Sequence, residues 1–308
     1  MHSNHKRALA ILALLGAGAL AWSVWGQPEL RGIAFPPSKI TVPQQGVTFA
    51  MPDFGGRPLV DVRINGKGPY RFIIDTGAEM TVIGSELREE LALPYRSGAR
   101  ANLDGNPMPL VFIEDLGIGE ARIVGLTAFP MPLARLIKME DAPKGVLSAM
   151  SFAGHLVTFD FPKRQLIIKP GEIPADSADT FEYAADRVIP TVPVRIGEKI
   201  IAVPVDSGAA SGLTLPNRYL DSVPTESRRK GEKSIRTAVG EFPVTLATTS
   251  EAVSIGRYQL SREIQFSDTR GSNREPQGTV GYAILRAFVV TLDAKNHRIR
   301  LTGPGSAD

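Results

Sequence analysis

Between Val47 and Leu301 the apolar positions fall in short alternating or continuous runs bounded by glycine, proline, asparagine and aspartate, a pattern that predicts strands. In the first half these runs are Val47–Met51, Leu59–Ile64, Tyr70–Ile74, Met80–Ile83, Leu110–Ile113 and Leu156–Phe161, all rich in β-branched or aromatic residues. Helical spacing is scarce. Ser85–Leu93 is one candidate, with Ser85 placed to cap it and Glu86 and Glu89 near its start, and residues 151–155 offer a second short turn. From Arg187 to Leu301 the chain is again dominated by strand signals. Strands do not alternate with long helices, so a doubly wound parallel sheet is not expected.

The pattern also repeats. Leu59–Asn65 leads through a glycine turn to Phe72-Ile73-Ile74 and then Asp75-Thr76-Gly77-Ala78. Val192–Ile196 leads through Gly197 to Ala202–Val205 and then Asp206-Ser207-Gly208-Ala209, with the two aspartates 131 positions apart. Further on, Gly145-Val146-Leu147 precedes Val157-Thr158-Phe159-Asp160, and Gly278-Thr279-Val280 precedes Val290-Thr291-Leu292-Asp293. A period this long, with one acid in each copy, points to two related half-domains and not to a stack of small repeats. The reading divides the chain into a leader at residues 1–26, a tether at 27–45, a first lobe at 46–170, a linker at 171–186, a second lobe at 187–302 and a tail at 303–308.

Composition narrows the chemistry. With 43% hydrophobic and 22% charged residues over 308 positions, the chain has the makings of packed lobes. It has no cysteine, which removes thiol nucleophiles, thiolate metal sites and disulfides together. Four histidines are present, and His2 and His5 sit in the leader, so neither a histidine-based triad nor a histidine metal site is expected. No metal and no other cofactor is called for. The net charge is only +3, and the densest basic stretch, Arg228-Arg229-Lys230, has no interleaved aromatics, so it reads as a solvated loop and nucleic acid is not an expected partner.

Lys6 and Arg7 ahead of the uncharged run Ala8–Ala21 form the pattern of a secretory signal. The uncharged stretch extends past Trp22 and Trp25, long enough at its limit to anchor the chain in a membrane. Export, to the periplasm of a bacterium, is the expectation. Both a cleaved and a retained leader fit it.

One Asp-Thr-Gly is an ordinary turn. Two Asp-hydroxyl-Gly triplets at equivalent points of a repeat supply a pair of carboxylates, one from each half. If Asp75 and Asp206 meet between the lobes, two like charges in a small space resist ionising together, and one keeps a proton. The charged member can then act as general base on a water while its protonated partner donates to the carbonyl under attack. Gly77 and Gly208 permit tight turns with amides near the carboxylates. Thr76 and Ser207 can hydrogen-bond across to the opposite half.

On these residues the chain resembles the pepsin/retropepsin class of aspartic peptidases, and within it the bacterial single-chain retropepsin-like group. The resemblance covers Val47 to Leu301. It implies an all-β bilobal fold with few short helices, in which two homologous β-barrel-like lobes hold the active site between them. It further implies a polypeptide substrate, no obligate dimer, catalytic Asp75 and Asp206 with support from the residues that follow each, and a hairpin flap. By order along the chain the flap candidates are Asp104-Gly105-Asn106 and Val239-Gly240-Glu241. Alanine at 78 and 209, where many pepsin-like sites carry a hydroxyl, gives the ionised carboxylate one bond fewer and predicts activity at mildly acidic to neutral pH.

Two further readings compete. One is a peptide-binding module of the same fold with little or no turnover, favoured by Ser148 where the second copy has Gly281, and by Pro204 in the strand entering Asp206. The other is a purely structural envelope β-protein, which predicts tolerance of substitution at both aspartates.

Overall fold

The structure is a computed structural model, and it describes residues 38–103, 106–133, 141–176, 178–237, 240–268 and 278–304. It is mostly β, as an all-β pepsin-like bilobal fold requires. Among the described residues the strands form three sheets. The first short helix candidate forms in a trimmed version, an α-helix at Ser85–Glu90, and in place of the second, at 151–155, a 3-10 turn forms two residues earlier, at Ala149–Phe152. The expected serine cap is not made. Gly84 takes the cap position, Ser85 is already helical, and no side chain satisfies the first turn.

In the first half, Lys67–Asp75 runs parallel to Gly145–Ser148 on one side and antiparallel to Leu59–Ile64 on the other. Continuing outward, Val82–Gly84 and Ala121–Met131 lie on one flank and Asn106–Ile118 on the other, and the last two pair with each other, so the sheet closes on itself. Closure explains the burial pattern. Phe72 and Ile74 point to one side of their strand and Ile73 to the other, yet all three are buried because each face meets its own apolar cluster. Burying side chains of this size contributes about 1.5–3 kcal/mol each.

The second half repeats the central order. Lys199–Asp206 lies parallel to Thr279–Gly281 and antiparallel to Thr191–Ile196, with Leu213–Leu215 and Glu263–Phe266 continuing the sheet. Pro204 does not interrupt this strand. The parallel partner begins only at Val205, opposite Val280, so proline falls where one edge asks for no donor.

A third sheet joins the halves. Its order is Thr180–Glu182, Arg298–Thr302, Val289–Asp293, Leu156–Asp160, Gln165–Lys169 and Val47–Ala50. At its centre Leu156–Asp160 and Val289–Asp293, the two copies of one repeat segment, pair antiparallel with Thr158 opposite Thr291. Their hydroxyls are hydrogen-bonded at 3.0 Å. A residue facing its own counterpart marks the pseudo-twofold axis, and that axis relates the two acid-bearing strands.

The folded part starts earlier than the apolar pattern suggests: Lys39–Thr41, inside the stretch read as a tether, pairs with Arg122–Val124. Thr180–Glu182, inside the stretch read as a linker, pairs with Arg298–Arg300. The leader lies outside the described residues. Among those described, no helix is long and apolar enough to cross a membrane.

Candidate active site

Each acid ends a buried strand. Asp75 sits beside Ser148 at the end of one parallel pair and Asp206 beside Gly281 at the end of the other. The two triplets meet across the axis and are tied by four hydrogen bonds. The Thr76 hydroxyl donates to the Val205 carbonyl at 2.7 Å and accepts from the Ser207 amide at 3.0 Å. Reciprocally, the Ser207 hydroxyl donates to the Ile74 carbonyl at 3.0 Å and accepts from the Thr76 amide at 3.1 Å. Each hydroxyl thus bonds one carbonyl and one amide of the opposite half, which a methyl could not do.

This clasp brings the carboxyls together. Asp75 Oδ1 accepts from the Gly77 amide at 2.7 Å and from the Gly208 amide of the other triplet at 3.1 Å. Asp206 Oδ1 accepts from the Ala209 amide at 2.9 Å. Both acids are buried, at 3% and 6% exposure, so little water screens one from the other. The glycines are required by contact distance. A Cβ at Gly77 would lie 2.5 Å from Asp206 Cγ, and one at Gly208 would lie 2.5 Å from Asp75 Oδ2. Any other residue at either position would push the acids apart.

The electrostatics follow. Burial first, and the adjacent Asp206 charge second, hold the Asp75 carboxyl well above its ordinary value of 3.8; the Gly77 and Gly208 amides pull the other way and do not prevail. The pair therefore keeps a proton where isolated aspartates would have lost theirs.

Ser148, the departure from the second copy, is accommodated. Its hydroxyl donates to the Ala78 carbonyl at 2.5 Å and accepts from the Met150 amide at 3.2 Å, which also caps the following 3-10 turn. The second copy has no such room. A Cβ at Gly281 would lie 2.3 Å from the Ser211 carbonyl oxygen.

The flap candidates divide. Tyr95–Leu103 and Asn106–Ile118 pair as a hairpin, and Thr225–Thr237 and Gly240–Thr249 pair as another. Asp104, Gly105 and Val239 lie outside the described residues. Asn106 pairs with Leu103, Gly240 with Thr237, and Glu241 with Arg236, with Ser234 donating to the Glu241 carboxylate. The structure therefore gives two hairpins at the expected places. Beside the second, a cavity of about 410 Å³ opens between the turn after Asp206 and the hairpin, lined by Ala210, Ser211, Leu213, Leu246, Ile264 and Gln265 among others.

One residue of the site was not singled out from sequence. Arg57 is 1% exposed, and its Nε donates to the Gly208 carbonyl at 2.8 Å while Nη1 donates to the Gly55 carbonyl at 3.2 Å. An arginine before a strand ordinarily reads as surface. The signal available was a break in the repeat, since Ile189 occupies the matching place before Pro190.

Among known proteins, residues 60–150 match the family model described as aspartyl protease, and no curated protein matches the chain. The matched stretch contains the first triplet and ends just beyond Ser148. It supports an aspartic protease relationship and a protease-type function for the chain.

Proposed function

We propose that this protein is an exported aspartic endopeptidase in which Asp75 and Asp206 jointly activate water against a peptide bond. The observation that carries the proposal is the pair of buried acids held by a reciprocal clasp, with one amide of each triplet's neighbourhood aimed at Asp75 Oδ1. The ionised member takes a proton from a water positioned between the carboxyls, and the resulting hydroxide equivalent adds to the scissile carbonyl carbon. The protonated member gives its proton to the carbonyl oxygen, so no free oxyanion forms. As the tetrahedral intermediate collapses, the proton gained by the first acid passes to the leaving nitrogen, the C–N bond breaks, and the second acid recovers its proton from the intermediate's hydroxyl. Each carboxyl thus exchanges roles once per turnover, and nothing in the cycle calls for imidazole or thiol.

Thr76 and Ser207 fix the geometry, Gly77 and Gly208 permit it, and Ala78 and Ala209 complete the turns. The hairpins at 95–118 and 225–249 are the elements that would cover a bound polypeptide. The charged start of the leader and the uncharged run after it support export.

The alternative, a binding module without turnover, draws on Ser148 and Pro204. Ser148 is fully hydrogen-bonded and Pro204 sits within an intact strand, so neither weakens the site. The test is incubation of the purified chain with a library of unstructured peptides, read by mass spectrometry. Fragments with a consistent bond preference are the expected result. Peptides retained on the protein but never cleaved would replace the peptidase by the binding module.

A further inference from the structure

We propose that Arg57 is a positioning residue of the acid pair: from the first half of the chain it clasps the Asp206 turn through the Gly208 carbonyl, and its charge makes Asp206 the ionised member and leaves the shared proton on Asp75. The inference rests on the peptidase reading for its catalytic meaning, though not for its geometry.

The two halves agree in nearly every feature around the acids. Strand, parallel partner, hydroxyl, glycine and alanine recur, and the Pro58 carbonyl accepts from the Ile74 amide as the Pro190 carbonyl does from the Val205 amide. That equivalence aligns Arg57 with Ile189, which is a buried apolar residue. The amides break the symmetry one way, since Asp75 Oδ1 accepts two of them and Asp206 Oδ1 one, which by itself favours an ionised Asp75. Burial and the adjacent Asp206 charge outweigh those amides at Asp75, and the single cation on the Asp206 side adds to the opposite preference.

The guanidinium is sealed in place. Gly55 and Gly56 turn tightly behind it, and a Cβ at Gly56, whose φ is +80°, would lie 3.2 Å from Ala210 Cβ and 3.4 Å from the Tyr282 ring. The Gly56 amide donates to Asp53 Oδ1 at 3.1 Å. With Nε and Nη1 both engaged by carbonyls, Nη2 is buried with no hydrogen-bond partner among the described residues. A buried guanidinium without a bonded carboxylate is costly, and its compensation must come from nearby negative charge. The charges that face it are Asp206, then Asp75, then Asp53, in decreasing strength. Around Asp53 stand the Tyr282 hydroxyl and, beyond it, Arg164 and Arg286. Burial brings Arg57 down to about 10, so it stays charged at neutral pH. Asp206 feels that charge most, and an ionised Asp206 is the acceptor to which Asp75 can donate.

The experiment is a carbon NMR titration of the full chain labelled at aspartate carboxyls, with Asp75→Asn and Asp206→Asn used to assign the two signals. The Asp75 signal is expected to leave its protonated position at a higher pH than the Asp206 signal leaves its own. Arg57→Met is expected to raise the Asp206 titration by about one unit, because an adjacent opposite charge lowers a carboxyl by one unit or more. Arg57→Lys, which keeps the charge, returns it toward the wild-type value. The acid limb of kcat/KM moves in parallel. An ionised Asp75 beside a protonated Asp206 in the wild type overturns the assignment, and so does an unchanged titration in Arg57→Met. The wild-type spectrum decides even if Arg57→Met does not fold. A chain that cleaves nothing but titrates as described would end the peptidase reading and leave the Arg57 inference standing.

Discussion

Replacing Thr76 by valine keeps the outline of the side chain and deletes its hydroxyl, which isolates the contribution of half the clasp. Thr76 is 1% exposed, so no water replaces what is lost. The Ser207 amide loses its acceptor at 3.0 Å, and a buried unsatisfied donor costs about 1–3 kcal/mol. The Val205 carbonyl loses a donor at 2.7 Å, worth about 1 kcal/mol as an ordinary net bond. Together the substitution is expected to cost about 2–4 kcal/mol, a large part of the roughly 5–15 kcal/mol that holds a domain folded. Urea unfolding followed by far-ultraviolet circular dichroism measures it, with Ser207→Ala as the reciprocal half and Thr48→Val, an exposed position away from the axis, as control. The two clasp variants should lose similar amounts, and activity should fall with them because the carboxyls are no longer held in register. A loss below about 0.5 kcal/mol, the scatter of surface substitutions, would refute the argument that the clasp stabilises the junction.

Further expectations follow from the same contacts. Gly77→Ala and Gly208→Ala each drive a methyl into the opposite carboxyl, and each should lower kcat/KM by about a hundredfold or more while costing about 1–3 kcal/mol in unfolding measurements; activity retained in either would contradict the close approach. Ser148→Ala should cost only about 1–2 kcal/mol through the lost bond to the Ala78 carbonyl, whereas Gly281→Ala, 2.3 Å from a backbone oxygen, should be far more damaging in the same thermal melt. The Asp75 carboxyl is raised in the folded state, so it binds a proton that the unfolded chain has released. Its stabilising contribution is therefore full below the ordinary value of 3.8 and is lost as pH rises through the folded value. Asp75→Asn removes that dependence, so the variant's stability relative to wild type should climb steadily from pH 4 upward in a pH series of urea midpoints; a flat difference would oppose the raised carboxyl.

How much of this could be read from residues alone depends on whether a feature leaves a periodic trace. The strand entering Asp75 was legible because Phe72, Ile73 and Ile74 are buried on both faces in a continuous apolar run, and the strand entering Asp206 because it repeats that run, with Ile201, Val203 and Val205 on its buried face. The cross-bonding of Thr76 and Ser207 was legible because a hydroxyl at equivalent points of a repeat has an obvious partner in the turn of the opposite half. Lys39–Thr41 was not, since three residues in a proline-rich stretch carry no period and become a strand only when Ala121–Met131 offers an edge. The helix cap at Ser85 failed because the parallel strand Val82–Gly84 runs straight into the helix and leaves Gly84 in the cap position. Ser148 and Pro204 read as faults in the repeat, yet each meets surroundings that differ between the halves: a free carbonyl at Ala78 and a missing ladder partner beside Pro204. Arg57 was hidden for the opposite reason. Charge placed it on the surface, while the burial that gives it meaning arises only when Gly55 and Gly56 fold it under the second half.

The account is tested most directly by kcat/KM on one peptide taken from the library, measured for the wild type, Asp75→Asn and Asp206→Asn, with circular dichroism showing all three folded. Both variants are expected to lose nearly all activity, at least a thousandfold, because each acid serves once as base and once as acid in every turnover. Cleavage persisting at the wild-type rate in either folded variant would contradict the shared-proton pair.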